Sequence, residues 1–115
     1  MELKEIQEFV FREYQKNGYL DMWTVKLYST KQEKEQQQKI NDVAELGLIV
    51  TEISEAIEII RKKDNEDIEK LAEECSDIII RALNFMSRKG LDATSNICHK
   101  ANYNLSRGNL HGKAV

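Results

Sequence analysis

The stretch from Val43 to Ile60, VAELGLIVTEISEAIEII, decides the fold. Its residues Val43, Leu46, Val50, Ile53, Ile57 and Ile60 recur at three and four, the period of a helix that packs along its length on another helix. That seam is expected to be ordinary core. Leu48, Ile49, Ala56 and Ile59 widen the apolar arc well beyond one seam. Glu52 projects from within the arc and Glu55 from its edge, whereas Gly47, Thr51, Ser54, Glu58 and Arg61 form the polar stripe. A glutamate in an apolar setting is costly unless a cation compensates it. Taken alone, such a residue is ordinarily salt-bridged to a lysine or arginine from a neighbouring element.

The same helix is expected to start at Lys31 behind a Ser29 or Thr30 cap, with Glu33 nearby, and to run to Lys63. Its first part, Lys31 to Lys39, is highly polar and should project into solvent. Upstream, a helix over about Leu3 to Lys16 places Leu3, Ile6, Phe9 and Val10 on one face and stops at Asn17-Gly18. Tyr19 to Thr30, with Tyr19, Trp23 and Tyr28, reads as loop or short helix. Downstream, Asp64 is expected to cap a helix over Asn65 to Lys89 that ends at Gly90 and buries Ile68, Leu71, Cys75, Ile78, Ile79, Ala82, Phe85 and Met86. Asp92 should start a last helix, with Ala93, Ile97, Ala101 and Leu105 inside and Gly108 beyond its end.

With 115 residues, no proline, 5 glycines and 32% charged residues, the chain reads as one domain over residues 1–115, an all-α four-helix bundle. So broad an apolar face on the second helix predicts a homodimer or homotetramer. The net charge of −3, without a basic cluster, argues against nucleic acid as partner. No apolar run is long enough for a bilayer and no signal peptide is visible, so a cytoplasmic protein without a membrane partner is expected. Cys75 and Cys98 lack metal-ligand spacing and are given no role.

A second acidic pair, Glu74 and Asp77, repeats the spacing of Glu52 and Glu55 on the third helix. Like charges three apart repel by about 0.2–0.5 kcal/mol. Two such pairs on facing helices make sense when a cation lies between them, and hard carboxylate oxygens suit Mg²⁺ or Mn²⁺. Both residues of the second pair lie near the polar border of their helix and are equally suited to solvent. Arg81, one turn beyond Asp77, is placed either for an intrahelical ion pair or for holding a metal ligand or a phosphate. On the last helix Lys100, Asn104 and Arg107 share a face, with His111 and Lys113 just after. Those donors suit phosphate oxygens, although a solvated face has the same composition. No E-x-x-H, glycine-rich phosphate loop or nucleophile elbow occurs.

The run from Leu48 to Ala56, the later Glu74-Cys75-Ser76-Asp77 with Arg81, and the ending Lys100, Asn104, Arg107, His111-Gly112-Lys113 together resemble the MazG-like nucleotide pyrophosphohydrolases of the all-α NTP pyrophosphatase superfamily. The resemblance spans roughly Leu46 to Lys113 and is loose upstream. It implies a Mg²⁺-dependent enzyme that splits a nucleoside triphosphate into monophosphate and pyrophosphate. Glu52, Glu55, Glu74 and Asp77 would bind metal, and Glu52 or Glu55 would act as base. Lys100, Asn104, Arg107, His111, Lys113 and Arg81 would meet the substrate phosphates, with Trp23 or Tyr19 stacking on the base or, equally, filling core. Thr51 stands where many relatives carry a glutamate next to Glu52, and Glu45, two turns earlier, is offered as a further carboxylate. The competing readings are a non-enzymatic helical interaction module, and a dUTPase or phosphoribosyl-ATP pyrophosphohydrolase within the same superfamily.

Overall fold

The computed structural model describes residues 1–18, 30–62 and 67–107, and these form four helices, with no strand among them. They are α1 (Leu3–Lys16), α2 (Lys31–Arg61), α3 (Ile68–Arg88) and α4 (Ala93–Ser106). Each start has a local cause. Thr30 accepts a hydrogen bond from the Glu33 amide at 3.1 Å while Glu33 returns one to the Thr30 amide, a capping box that satisfies two orphan donors at once. Asp67 accepts from Lys70 N at 3.0 Å and Asp92 from Ser95 N at 3.2 Å. Asp67 therefore caps α3, and the expected start one turn earlier at Asp64 is corrected by its geometry. Gly90 has φ 74°, and the Leu91 amide reaches back to Met86 O at 2.8 Å, so α3 closes in a left-handed turn that only glycine adopts cheaply. Tyr19, Trp23, Asp64, Gly108, His111 and Lys113 lie outside the described residues.

α2 and α3 form the principal pair, α1 lies on α3, and α4 touches α1 and α3. The buried face of α2 is Asn41, Glu45, Glu52, Ala56 and Ile59, with Leu48 half-buried between them. The seam expected as core is instead exposed: Val43 is 71% accessible, Val50 60% and Ile60 58%, and Leu46, Ile53 and Ile57 are also open. At 100° per residue the two faces lie roughly 140° apart around the helix. The reason for the correction is polar. Arg81 and Arg88 on α3 bond Glu52 and Glu45, which turns the charged face of α2 toward α3 and leaves the seam exposed among the described residues.

Two other expected inner faces are also corrected. On α3, Leu83 and Asn84 are the buried residues, while Ile68, Cys75 and Ile79 are exposed. On α4 only Ala93 is buried, and Ile97, Ala101 and Leu105 are exposed. On α1, Phe9 is nearly half exposed, and the buried anchor is Gln7. Its side-chain amide donates to Ser87 Oγ (3.0 Å) and Leu91 O (2.9 Å) and accepts from Ala93 N (2.9 Å), tying α1 to the α3–α4 turn with every polar atom used. Buried apolar side chains are few: Ala56, Ile59, Leu83 and Ala93. The radius of gyration, 17.4 Å, exceeds the roughly 13 Å of a compact chain this long. No helix among the described residues is long and apolar enough to cross a membrane.

Candidate metal and nucleotide site

The middle of α2 and the first half of α3 bring three carboxylates together. One oxygen each from Glu52, Glu55 and Glu74 lies within 4.8 Å of the other two. Periodicity accounts for the first two, because positions 52 and 55 both point to the α3 side of α2 while the polar stripe falls to one flank. Glu74 Oε2 is buried and has no hydrogen-bond partner among the described residues. The adjacent Glu52 carboxylate, which accepts a hydrogen bond once Glu74 carries a proton, pushes the Glu74 carboxyl up to about 7, with desolvation and the Glu55 carboxylate adding to it. Such a carboxyl exchanges its proton near neutrality, and a divalent ion could take the proton's place.

Arg81 crosses from α3 to donate Nε to Glu52 Oε1 at 3.0 Å. The bond is interhelical rather than the intrahelical pair with Asp77 or Glu74. Of the three acids only Glu52 is ion-paired among the described residues. Asp77 is not in the cluster; it is exposed and lines the recess beside Glu52. Glu45 is no spare ligand either, since Arg88 bonds Oε1 and Tyr14 OH donates to Oε2 at 3.1 Å.

The three carboxylates separate two recesses. The first, about 380 Å³, lies between α1, α2 and α3, is walled by Phe9, Val10, Leu48 and Ile80, and carries Glu52, Asp77 and Arg81. Asn84, 7% accessible, also lines it, and its Oδ1 is buried without a partner. The second recess, about 360 Å³, is lined by Glu55, Glu74, Thr51 and Ser54, with Lys62 and Lys70 supplying two cations. The sequence reading missed Asn84, Lys62 and Lys70. The signal for the lysines was there: Lys70 precedes Glu74 by four residues and Lys62 follows Glu55 by seven, both helical-face spacings.

The last helix does not join this site within the chain. Lys100 Nζ and Arg107 Cζ lie 5.1 and 5.2 Å from the Tyr103 ring centroid, and no α4 residue lines either recess. Asn104 is half-buried on the same helix. Scans against protein-family models, curated proteins and solved structures each returned no match.

Proposed function

We propose that the chain is a Mg²⁺-dependent nucleoside triphosphate pyrophosphohydrolase of the MazG-like kind, converting a (deoxy)nucleoside triphosphate to its monophosphate and pyrophosphate. The observation that carries the reading is the trio Glu52, Glu55 and Glu74, with one buried oxygen that has no hydrogen-bond partner among the described residues. A polyphosphate is itself anionic, so it approaches such a trio only through cations.

The donor set fits a hard divalent ion. Glu52, Glu55 and Glu74, each with an oxygen within 4.8 Å of the other two, would hold the ion. Mn²⁺ suits the same oxygens. When bound, the ion neutralises phosphoryl charge and makes water more acidic. Arg81 holds Glu52 in place as a ligand, whereas Glu55 is exposed and bonded to no cation among the described residues, which favours it as the base that takes a proton from the attacking water. Lys62 and Lys70 are placed beside Glu55 and Glu74 to hold the departing pyrophosphate. Asp77 orients the substrate side of the first recess.

Assembly belongs to the same proposal. The open seam from Val43 to Ile60, some 25 Å long at 1.5 Å per residue, is covered by a second copy in a homodimer or homotetramer. Lys100, Asn104 and Arg107 then reach the phosphates of a neighbouring subunit rather than their own. Light scattering should give a multiple of the monomer mass, reduced to the monomer by Val50→Glu with Ile57→Glu.

The exposed seam also favours a second reading, a helical interaction module without catalysis. Pyrophosphate release from a panel of nucleoside triphosphates with Mg²⁺, with Glu55→Gln as control, separates the two. Release abolished in the variant supports the enzyme; absence of release from every nucleotide removes it. The panel also sorts a dUTPase or phosphoribosyl-ATP hydrolase preference from a general one.

A further inference from the structure

The recess between α1, α2 and α3 holds a feature that folding alone does not explain. Asn84 sits one turn beyond Ile80 and nearly one turn beyond Arg81 on α3, 7% accessible, with a buried Oδ1 that accepts no hydrogen bond among the described residues. Burying an amide oxygen without a donor destabilises the fold, so a leucine here would serve packing better. Gln7, an amide of the same chemistry on α1, shows the contrast, since its oxygen and nitrogen are both bonded. The walls around Asn84 are Phe9, Val10, Leu48 and Ile80, apolar side chains suited to the faces of a flat ring. At about 380 Å³ the recess falls within the range of small-molecule pockets, and Glu52 belongs both to it and to the carboxylate trio.

We propose that this recess is the nucleoside pocket of the site and that Asn84 is its specificity residue, accepting a hydrogen bond at Oδ1 from an N–H on the base edge. The proposal rests on the pyrophosphohydrolase reading and adds direction to it. The nucleoside lies on the Asn84 side of the trio and the terminal phosphates on the Lys62 and Lys70 side, which places the α and β phosphates beside Glu52, Glu55 and Glu74. An amide presents one acceptor and one donor, so it pairs with any base edge offering an N–H next to a lone pair and rejects a sugar phosphate that has no base.

The test is calorimetric titration of the full chain, with Mg²⁺ present, by the four deoxynucleoside monophosphates and by deoxyribose 5-phosphate, repeated with Asn84→Leu and the smaller Asn84→Ser. At least one nucleotide should bind the wild-type chain about tenfold or more tightly than the sugar phosphate, the value of one buried hydrogen bond plus ring contact. Asn84→Leu should lose that preference, keep its sugar phosphate affinity and show no fall in melting temperature, because it removes an unsatisfied atom. Equal binding of sugar phosphate and nucleotides by the wild-type chain overturns the proposal. So does a retained preference in both variants, or a lowered melting temperature with the preference intact, which makes Asn84 a packing residue. Pyrophosphate release together with equal binding of nucleotide and sugar phosphate overturns this assignment alone; absence of release and of phosphate binding together removes the reading beneath it.

Discussion

The two ends of the α2–α3 interface use the same residue types and reach opposite balances. Toward the start of the buried α2 face, Asp42 and Glu45 meet Arg88 and Lys89: Arg88 Nη2 reaches Asp42 at 2.6 Å, Lys89 Nζ reaches it at 2.8 Å, and Arg88 Nε bonds Glu45. Two acids face two bases, with Tyr14 closing the last carboxylate oxygen. Two turns along, of Glu52, Glu55 and Glu74 only Glu52 is ion-paired among the described residues, to Arg81, while Lys62 and Lys70 line the recess of the other two without bonding them. A satisfied network fixes how the helices pack, whereas an acidic excess with an unpartnered oxygen stores a demand for a cation. The first end is architecture, and the second is where a ligand can act.

Activity should break this comparison most sharply. Glu55→Gln and Glu74→Gln are expected to lower pyrophosphate release at least a hundredfold, the lower range for losing a proton acceptor or a metal ligand, with folding retained by circular dichroism. Equal losses from Glu45→Gln would erase the distinction between the ends. Stability should respond in the reverse pattern. Arg88→Ala strands Glu45 in a buried position and is expected to cost about 3 kcal/mol or more in denaturant unfolding, while Glu74→Gln should leave stability nearly unchanged or raise it in the absence of metal.

Acid–base behaviour sharpens the contrast with smaller effects. Glu74 titrates near 7 in the fold against an ordinary 4.5, so the folded chain holds an extra proton between those values. Its contribution is complete below 4.5 and is lost as the pH rises through 7. Metal-free melting temperature should therefore decline from pH 5 to 8, and Mg²⁺ should restore it at pH 8 far more than at pH 5. At the other end, the hydrogen bond from Lys89, with Arg88, holds Asp42 below its ordinary 3.8. That contribution is present above 3.8 and is lost as the pH falls through the lowered value. The smallest effect belongs to neither end: Glu58→Ala removes an exposed pair with Arg61 and should change stability by less than about 0.5 kcal/mol.

Much of this architecture was legible because local chemistry dictates it. Thr30 with Glu33, Asp92, Gly18 and Gly90 mark helix ends in sequence and mark them in the structure. Spacing made the pairing of Glu52 with Glu55 legible, since residues three apart share a face, but the same spacing grouped Asp77 with Glu74, and Asp77 lies outside the cluster. Burial was less legible. Periodicity shows that Val43, Leu46, Val50, Ile53, Ile57 and Ile60 form a stripe, and cannot show whether the chain's own helices or another molecule cover it. The deciding contacts, Arg81 to Glu52 and Arg88 to Glu45, join residues 29 and 43 positions apart, which no local pattern encodes. Asn84 was invisible for the same reason: an amide on a helix is unremarkable until its surroundings leave its oxygen unpaired.

The central claim is that the acidic end of α2–α3 holds a divalent cation where Glu74 otherwise holds a proton. Calorimetric titration with Mg²⁺ at pH 7, in two buffers of different ionisation enthalpy, measures binding and proton release together. The account predicts saturable binding that releases about half a proton per site, as a carboxyl near 7 requires, and that vanishes in Glu74→Gln. Binding without proton release, unchanged binding in Glu74→Gln, or no binding at millimolar Mg²⁺ with or without nucleotide would contradict it.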